Sequence, residues 1–460
     1  MPQGRKSRSY TAAVAVTATA ATALALVPAA PSGAATTAAG RVSGRAAPGT
    51  PHFPARTAST EQVRQLVQCG GTMYAVGDFT TVQQGSKQFT RRNIFSFSAA
   101  RPFTMRQWNP NVNGTVNSIT FSGGNCASAY IGGNFSSVHG RAARNIAEIS
   151  TSTGALRSGF AHSASATVQT LRGARGHILA GGFFRSINGS SADPFMASLS
   201  PRTGRDDGFV HLRISGHYVF PGVGGNGTRV YNQAISHSGG LDLVMGDFTS
   251  VGGRARQQIF MLSLSGRQAG VTGWRSPEWD GSRGNLPGGF PYQCSTIEPF
   301  YIRAAAWSPD DQTVYLATTG FHPWNQPTGS FPRRGLCDAA AAFPATRGPV
   351  LHKWINYTGC DSLYSAAADS STAYFGGHQR WSQNPHGCDF AGAGAISAPG
   401  FEGLSPRTGA LTFNPGRARG LGADDMLITS AGLWIASDNF DDSQTCAGAS
   451  NHAGICLLPG

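Results

Sequence analysis

Repetition of one short pattern at intervals of about 60 residues predicts an all-β propeller, most simply one of seven blades with the ring closed by its N- and C-terminal strands. Composition points the same way. Glycine is abundant, at 61 residues, and only 13% of residues are charged. Glycine costs roughly 1 kcal/mol against alanine inside a helix, so this composition favours turns and short strands over long helices.

The first clear copy is Tyr74-Ala-Val-Gly-Asp-Phe-Thr-Thr-Val82. It returns as Tyr130-Ile-Gly-Gly-Asn-Phe-Ser-Ser-Val138, Leu179-Ala-Gly-Gly-Phe-Phe-Arg-Ser-Ile187 and Leu243-Val-Met-Gly-Asp-Phe-Thr-Ser-Val251. After each comes a polar turn and a short apolar run: Ile94–Phe97, Ile146–Ile149, Met196–Leu199 and Ile259–Leu262. Weaker copies at Val314–Gly320, Ala373–Gly377 and Leu433–Asp438 bring the number to seven. Such runs, rich in aromatic and β-branched residues and bounded by Gly, Asn, Asp and Pro, read as strands. Three or four of them per repeat describe a blade, which neighbouring blades must cover. A solenoid of the same strands is the alternative.

The glycine that recurs inside the second strand predicts a close approach of backbone there, near the axis. Asp78, Asn134, Asp247 and Asp438 recur at one repeat position, which predicts a turn role rather than chemistry. The last repeat stops after its third strand, Ile455–Leu458, so residues near 50–55 are expected to supply the missing outer strand. Closure of that kind removes free sheet edges.

The pattern Trp108-Asn-Pro-Asn-Val-Asn-Gly-Thr-Val116, followed by Ala129-Tyr-Ile-Gly-Gly-Asn-Phe-Ser-Ser-Val-His-Gly-Arg-Ala-Ala-Arg-Asn-Ile-Ala147, resembles the bacterial delta-60 repeat. The match covers roughly residues 60–265 and is patchy from there to 440. The resemblance implies a β-propeller and a secreted or surface location. It brings no catalytic residues, and fold alone does not confer function.

Residues 1–35 read as a signal peptide. Arg5, Lys6 and Arg8 form a basic start, Thr11 to Val27 an apolar stretch, and small residues follow to a cleavage site near Ala34 or Ala35. The apolar stretch is short of the about 20 residues that span a bilayer, so no transmembrane segment is expected in the mature chain. Residues 36–50 read as an Ala/Thr/Gly/Pro linker and 51–460 as the propeller domain. Export to the extracellular space is the expectation.

The eight cysteines fit an oxidising compartment. None forms a CxxC pair, so neither a zinc site nor a cofactor is predicted. Departures from the compact repeat gather late in the chain. Residues 274–299 precede the inner strand of blade five. Residues 321–347, 378–400 and 439–454 follow the second strands of blades five, six and seven. Antiparallel order puts all four on one face. That placement pairs Cys294 with Cys337, Cys360 with Cys388 and Cys446 with Cys456, and leaves Cys69 with Cys126.

Stapled loops lose less entropy on binding. They carry His322, Trp324, Asn325, His378, Trp381, Asn384 and His386, whose flat rings, amides and imidazoles suit sugar rings. Tryptophans in such loops also fill small local cores. The expectation is a secreted noncatalytic binding or scaffold module for cell-surface or extracellular carbohydrate, such as a cell-wall polymer. One alternative is a carbohydrate-active hydrolase using acids of the loop-rich face, with Asp338 and Asp389 as its carboxylate pair. Another is a platform for protein partners. The net charge is +13, but the arginines are scattered, against the clustered charge of a nucleic-acid binder. No GxSxG, HExxH or P-loop motif is present.

Overall fold

Every copy of the repeat forms a strand, and each is the second strand of an antiparallel sheet. The computed structural model describes residues 42–55, 60–217, 227–279, 300–320, 335–417, 419–440 and 445–460, and these contain no α-helix. Seven main sheets of three or four strands follow one another along the described chain, with a few two- and three-stranded ribbons between them. Their inner strands are Gln62–Cys69, Thr115–Ser122, Val168–Ala174, Arg229–Ile235, Ile302–Trp307, Leu363–Ala368 and Asp425–Thr429. Each lies beside the inner strand of the next sheet, and Asp425–Thr429 also lies beside Gln62–Cys69.

The second strands are buried on both faces, as their unbroken apolar runs require. Successive side chains point to opposite faces, so each strand feeds two cores. In Thr72–Asp78, Tyr74 and Val76 pack with Val116, Ile119 and Ile131 of the second sheet. Met73 and Ala75 pack instead with Trp434, Ala436 and Leu457 of the seventh. Likewise Leu433 and Ile435 face Tyr374 and Phe401 of the sixth sheet. The first and last sheets therefore share a core just as consecutive sheets do.

The recurring glycines have a local cause. A Cβ on Gly77, Gly133, Gly182, Gly246 or Gly377 would lie within 1.9–2.3 Å of the carbonyl oxygen of Gln62, Thr115, Thr167, Arg229 or Ser362 respectively. The crowding thus comes from the start of the neighbouring inner strand. Gly133→Ala should cost about 1–3 kcal/mol, the range for overpacking. Chemical unfolding should show that loss, whereas Gly140→Ala, in open space with φ 74°, would report backbone strain alone.

Two expectations are corrected. The stretch 321–347 is not all loop, because Ala339–Pro344 is the third strand of the fifth sheet, buried up to Phe343 and paired with Thr313–Ala317. Its alanine run has little intrinsic strand preference, and burial between strands decides its state. The segment on the outer edge of the last sheet also begins before residue 50. Ser43 and Ala47 donate backbone hydrogen bonds to Pro459 and Leu457, and Phe53 donates to Ala453. Val42, Ala47, Thr50 and Phe53 are buried there. This edge is covered by irregular chain, and the packing includes the end of the stretch read as linker.

Candidate functional site

All seven inner strands converge on one polar cavity. Six of them carry a β-bulge at the same register, between Val63 and Gln65, Val116 and Ser118, Val168 and Thr170, Val230 and Asn232, Ile302 and Ala304, and Leu363 and Ser365. In the seventh, Asp424 donates its backbone N–H to Ala436, the residue that Asp425 faces across the sheet. The extra residue of a bulge re-aims its side chain. Those residues, Arg64, Asn117, Gln169, Tyr231, Arg303, Tyr364 and Asp424, all line a cavity of about 290 Å³. The sequence signal is an apolar–X–X triplet at the head of each inner strand, its last residue mostly polar, and motif reading passed it over.

The residue after the bulge ties its strand to the next at every junction but the one between the fifth and sixth strands. Asp425 Oδ2 accepts the backbone N–H of Leu66 at 2.8 Å, and Gln65 Oε1 accepts that of Ile119 at 2.7 Å. Ser118 Oγ accepts Leu171 N–H, and Gln233 Nε2 reaches Thr170 Oγ1. Asn232 donates to Arg303 O, and Ser365 Oγ donates to Ala423 O. Between the fifth and sixth strands the link is the Arg303 guanidinium over the Tyr364 ring, 5.8 Å from its centroid. This belt fixes the cavity floor, because buried polar groups are costly unless paired.

Charge is distributed unevenly. Arg64, Arg172, Arg229 and Arg303 line the cavity, with Asp424 and Asp425 as its only carboxylates among the described residues. Arg229 lies over Phe183, Tyr231 and Tyr301 at 5.2, 6.0 and 5.6 Å, while Arg303 lies over Tyr231 at 5.4 Å. Such stacking holds a guanidinium while leaving its edge for other partners. Desolvation pushes Asp424 up to about 7 and Asp425 to about 6, with Arg64 and Arg303 drawing Asp424 back down. Both carboxyls are half-buried and meet the cavity. Behind the wall, desolvation lifts the fully buried Asp242 to about 8 against the pull of Arg172.

The loop-rich rim opens on the same end of the sheets. Leu363 pairs with Gly377, and His378 N donates to Ser362 O, next to the cavity residue Tyr364. Trp381 is half-buried, while the other described tryptophans are buried, and the Arg380 guanidinium covers its ring at 4.6 Å. His378 is half-buried, and desolvation keeps its pKa below the usual histidine value. His386 is exposed. Asn384 is fully buried, donating to Phe390 O and accepting from Gly392 N, so it shapes its own loop instead of facing solvent. His322, Trp324 and Asn325 lie outside the described residues.

The carboxylates considered for hydrolysis stand in unlike settings. Asp338 is fully buried and accepts a hydrogen bond from Ser362 Oγ. Asp389 is exposed and ion-paired with Arg380, which also binds the buried Asp361. Asp438 accepts backbone N–H groups of Leu421, Gly422 and Phe440 and so fastens the turn leading into the last sheet. Among the described residues no group of three His, Cys, Asp or Glu side chains is arranged to hold a metal.

Three cysteine pairs lie at disulfide distance: Cys69–Cys126, Cys360–Cys388 and Cys446–Cys456, with Cα separations of 5.8, 4.8 and 6.4 Å. Cys337 is disulfide-bonded as well, and Cys294 lies outside the described residues. Peptide mapping without reduction should return those three pairs together with Cys294–Cys337. Recovery of Cys337 joined to Cys388 would overturn the scheme.

No family model matches the chain, and no curated protein does. The delta-60 resemblance therefore rests on the quoted residues alone. Among solved structures, the chain is similar at low overlap to the WD40 β-propeller domain of Doa1, with 10% identity, 89% of this chain and 95% of that one covered, and a TM-score of 0.43. The computationally designed Ika8 protein gives 8% identity, 88% and 98% coverage and a TM-score of 0.42. The RRP9 WD40 repeats give 8%, 90% and 99%, and 0.41.

Proposed function

We propose that this protein is an exported, noncatalytic binding module, a closed seven-bladed propeller that takes carbohydrate into its central cavity. The observation that carries this reading is the convergence of seven equivalent side chains, six of them at bulges, on one polar cavity. Rings of Phe183, Tyr231 and Tyr364 beside the amides of Asn117, Gln169 and Asn232 suit a sugar, which stacks its C–H faces and pairs its hydroxyls. The core shared by the first and last sheets, and the hydrogen bond from Leu66 to Asp425, favour a ring over a solenoid. Three cysteine pairs at disulfide distance fit export through an oxidising compartment, as does the basic–apolar–small start of the chain.

Trp381 and His386 on the same face would meet the part of a longer glycan that extends beyond the cavity. A glycan array on the mature protein, followed by calorimetry, tests the reading. Binding should weaken about tenfold or more in Tyr364→Ala, which removes a stacking face. Glycan binding that Tyr364→Ala leaves intact but Trp381→Ala abolishes would move the site to the rim.

A further inference from the structure

Four arginines at one cavity is more cation than a neutral sugar needs, and two of them stand against one ring. Arg229 and Arg303 come from adjacent inner strands and share the ring of Tyr231. Neither side chain makes a hydrogen bond or ion pair with any described residue, and Arg229 Nε is buried without a partner. Like charges lining one cavity repel each other. Their aromatic supports hold them in place but satisfy none of their N–H donors. An oxyanion between them would relieve both deficits, since a guanidinium edge matches a carboxylate in two parallel hydrogen bonds.

The last inner strand presents the complementary deficit. Asp424 Oδ2 is buried and also lacks a partner. It would accept hydrogen bonds from hydroxyls. Its charge and that of Asp425 work against a dianion such as phosphate and favour a single negative charge. A cavity of about 290 Å³ is of monosaccharide size.

We infer that the cavity's ligand is a compact sugar acid, its carboxylate held by Arg229 and Arg303 and its hydroxyls by Asp424 and the cavity amides. This assignment rests on the reading of the cavity as a carbohydrate site.

The test is calorimetric titration of the mature protein with glucuronate, glucose and inorganic phosphate in the same buffer. Glucuronate should bind at least tenfold more tightly than either of the others. Arg303→Gln and Arg229→Gln, each checked for an unchanged circular-dichroism spectrum, should each weaken glucuronate at least tenfold more than they weaken glucose. Should one of them fail to fold, the other carries the comparison. Equal affinity for glucose and glucuronate, unaffected by the arginine variants, would overturn the sugar-acid assignment and leave a sugar-binding cavity standing. Phosphate binding as tightly as glucuronate would overturn it in favour of a bare oxyanion site. No heat with any of the three, while the array reports a neutral glycan, would overturn it too. An array and titrations both without binding would remove the carbohydrate reading as well.

Discussion

Deleting residues 36–58 is expected to unfold the protein or leave it aggregating, far more severely than any surface truncation of similar length. The deletion removes Phe53, which is fully buried and packs 5.4 Å from the ring of Phe79. It also removes Ala47 from the core between the first and last sheets, and Val42 from the core between the sixth and seventh. Truncating one buried phenylalanine alone costs about 3–5 kcal/mol, and whole domains are stable by only about 5–15 kcal/mol. The backbone of Ile455–Pro459 would lose the hydrogen bonds it accepts from Ser43 and Ala47, leaving an exposed strand edge prone to pairing with other chains. Thermal unfolding and sedimentation of the mature protein, the deletion and Phe53→Ala would measure this. A deletion that melts at the parent temperature would sink the closure of the ring through its ends.

Stability is expected to fall as the pH rises from about 4 to about 8, with two buried histidines opposing that trend below about 6.5. On the alkaline side the relevant groups are Asp242 and Glu402, both fully buried and both lifted by desolvation to about 8. Below their unfolded values near 4, each is protonated in both states. As the pH rises the unfolded chain loses these protons first, so it binds fewer than the native state and stability drops until the folded values are passed. The slope is at most about 1.4 kcal/mol per pH unit for each group. On the acid side the signs reverse for His52 and His452. Burial holds both below the ordinary histidine value, and the charge of His52 lowers His452 further. The unfolded chain therefore takes up protons first as the pH falls through about 6.5, and native stability is lost. These histidines sit where the N-terminal segment meets the last sheet, with Thr50 Oγ1 3.2 Å from His452 Nδ1. Denaturant midpoints at pH 6.5, 7.25 and 8, above the histidine range, would measure the alkaline limb. Asp242→Asn with Glu402→Gln should flatten the alkaline limb, and an unchanged limb would show that these carboxyls are ionised in the folded protein.

The sequence by itself determined the all-β class, the position of every second strand and the repeat, because those rest on local properties. An apolar run bounded by glycine and asparagine forms a strand wherever it is covered, and the Gly at Gly77, Gly133, Gly182, Gly246 and Gly377 is required by a carbonyl one strand away. Three cysteine pairings were legible too, Cys360–Cys388 and Cys446–Cys456 from loops placed on one face and Cys69–Cys126 by elimination. The third strand of the fifth sheet was not, since Ala339–Ala342 carries no strand preference of its own and takes its state from Thr313–Ala317 and Trp354–Tyr357 on either side.

The site was hidden for a stronger reason. Arg64, Tyr231, Arg303 and Asp424 are scattered over 361 positions from first to last, counting both ends (424 − 64 + 1), and no local spacing joins them. Only the packing of seven inner strands side by side, six of them bulged at the same register, turns seven unremarked residues to one cavity. The same packing turned Asn384 from a candidate contact into a buried loop brace. Side-chain chemistry is written in the sequence, but which side chains share a space is decided by non-local contacts between strands about 60 residues apart.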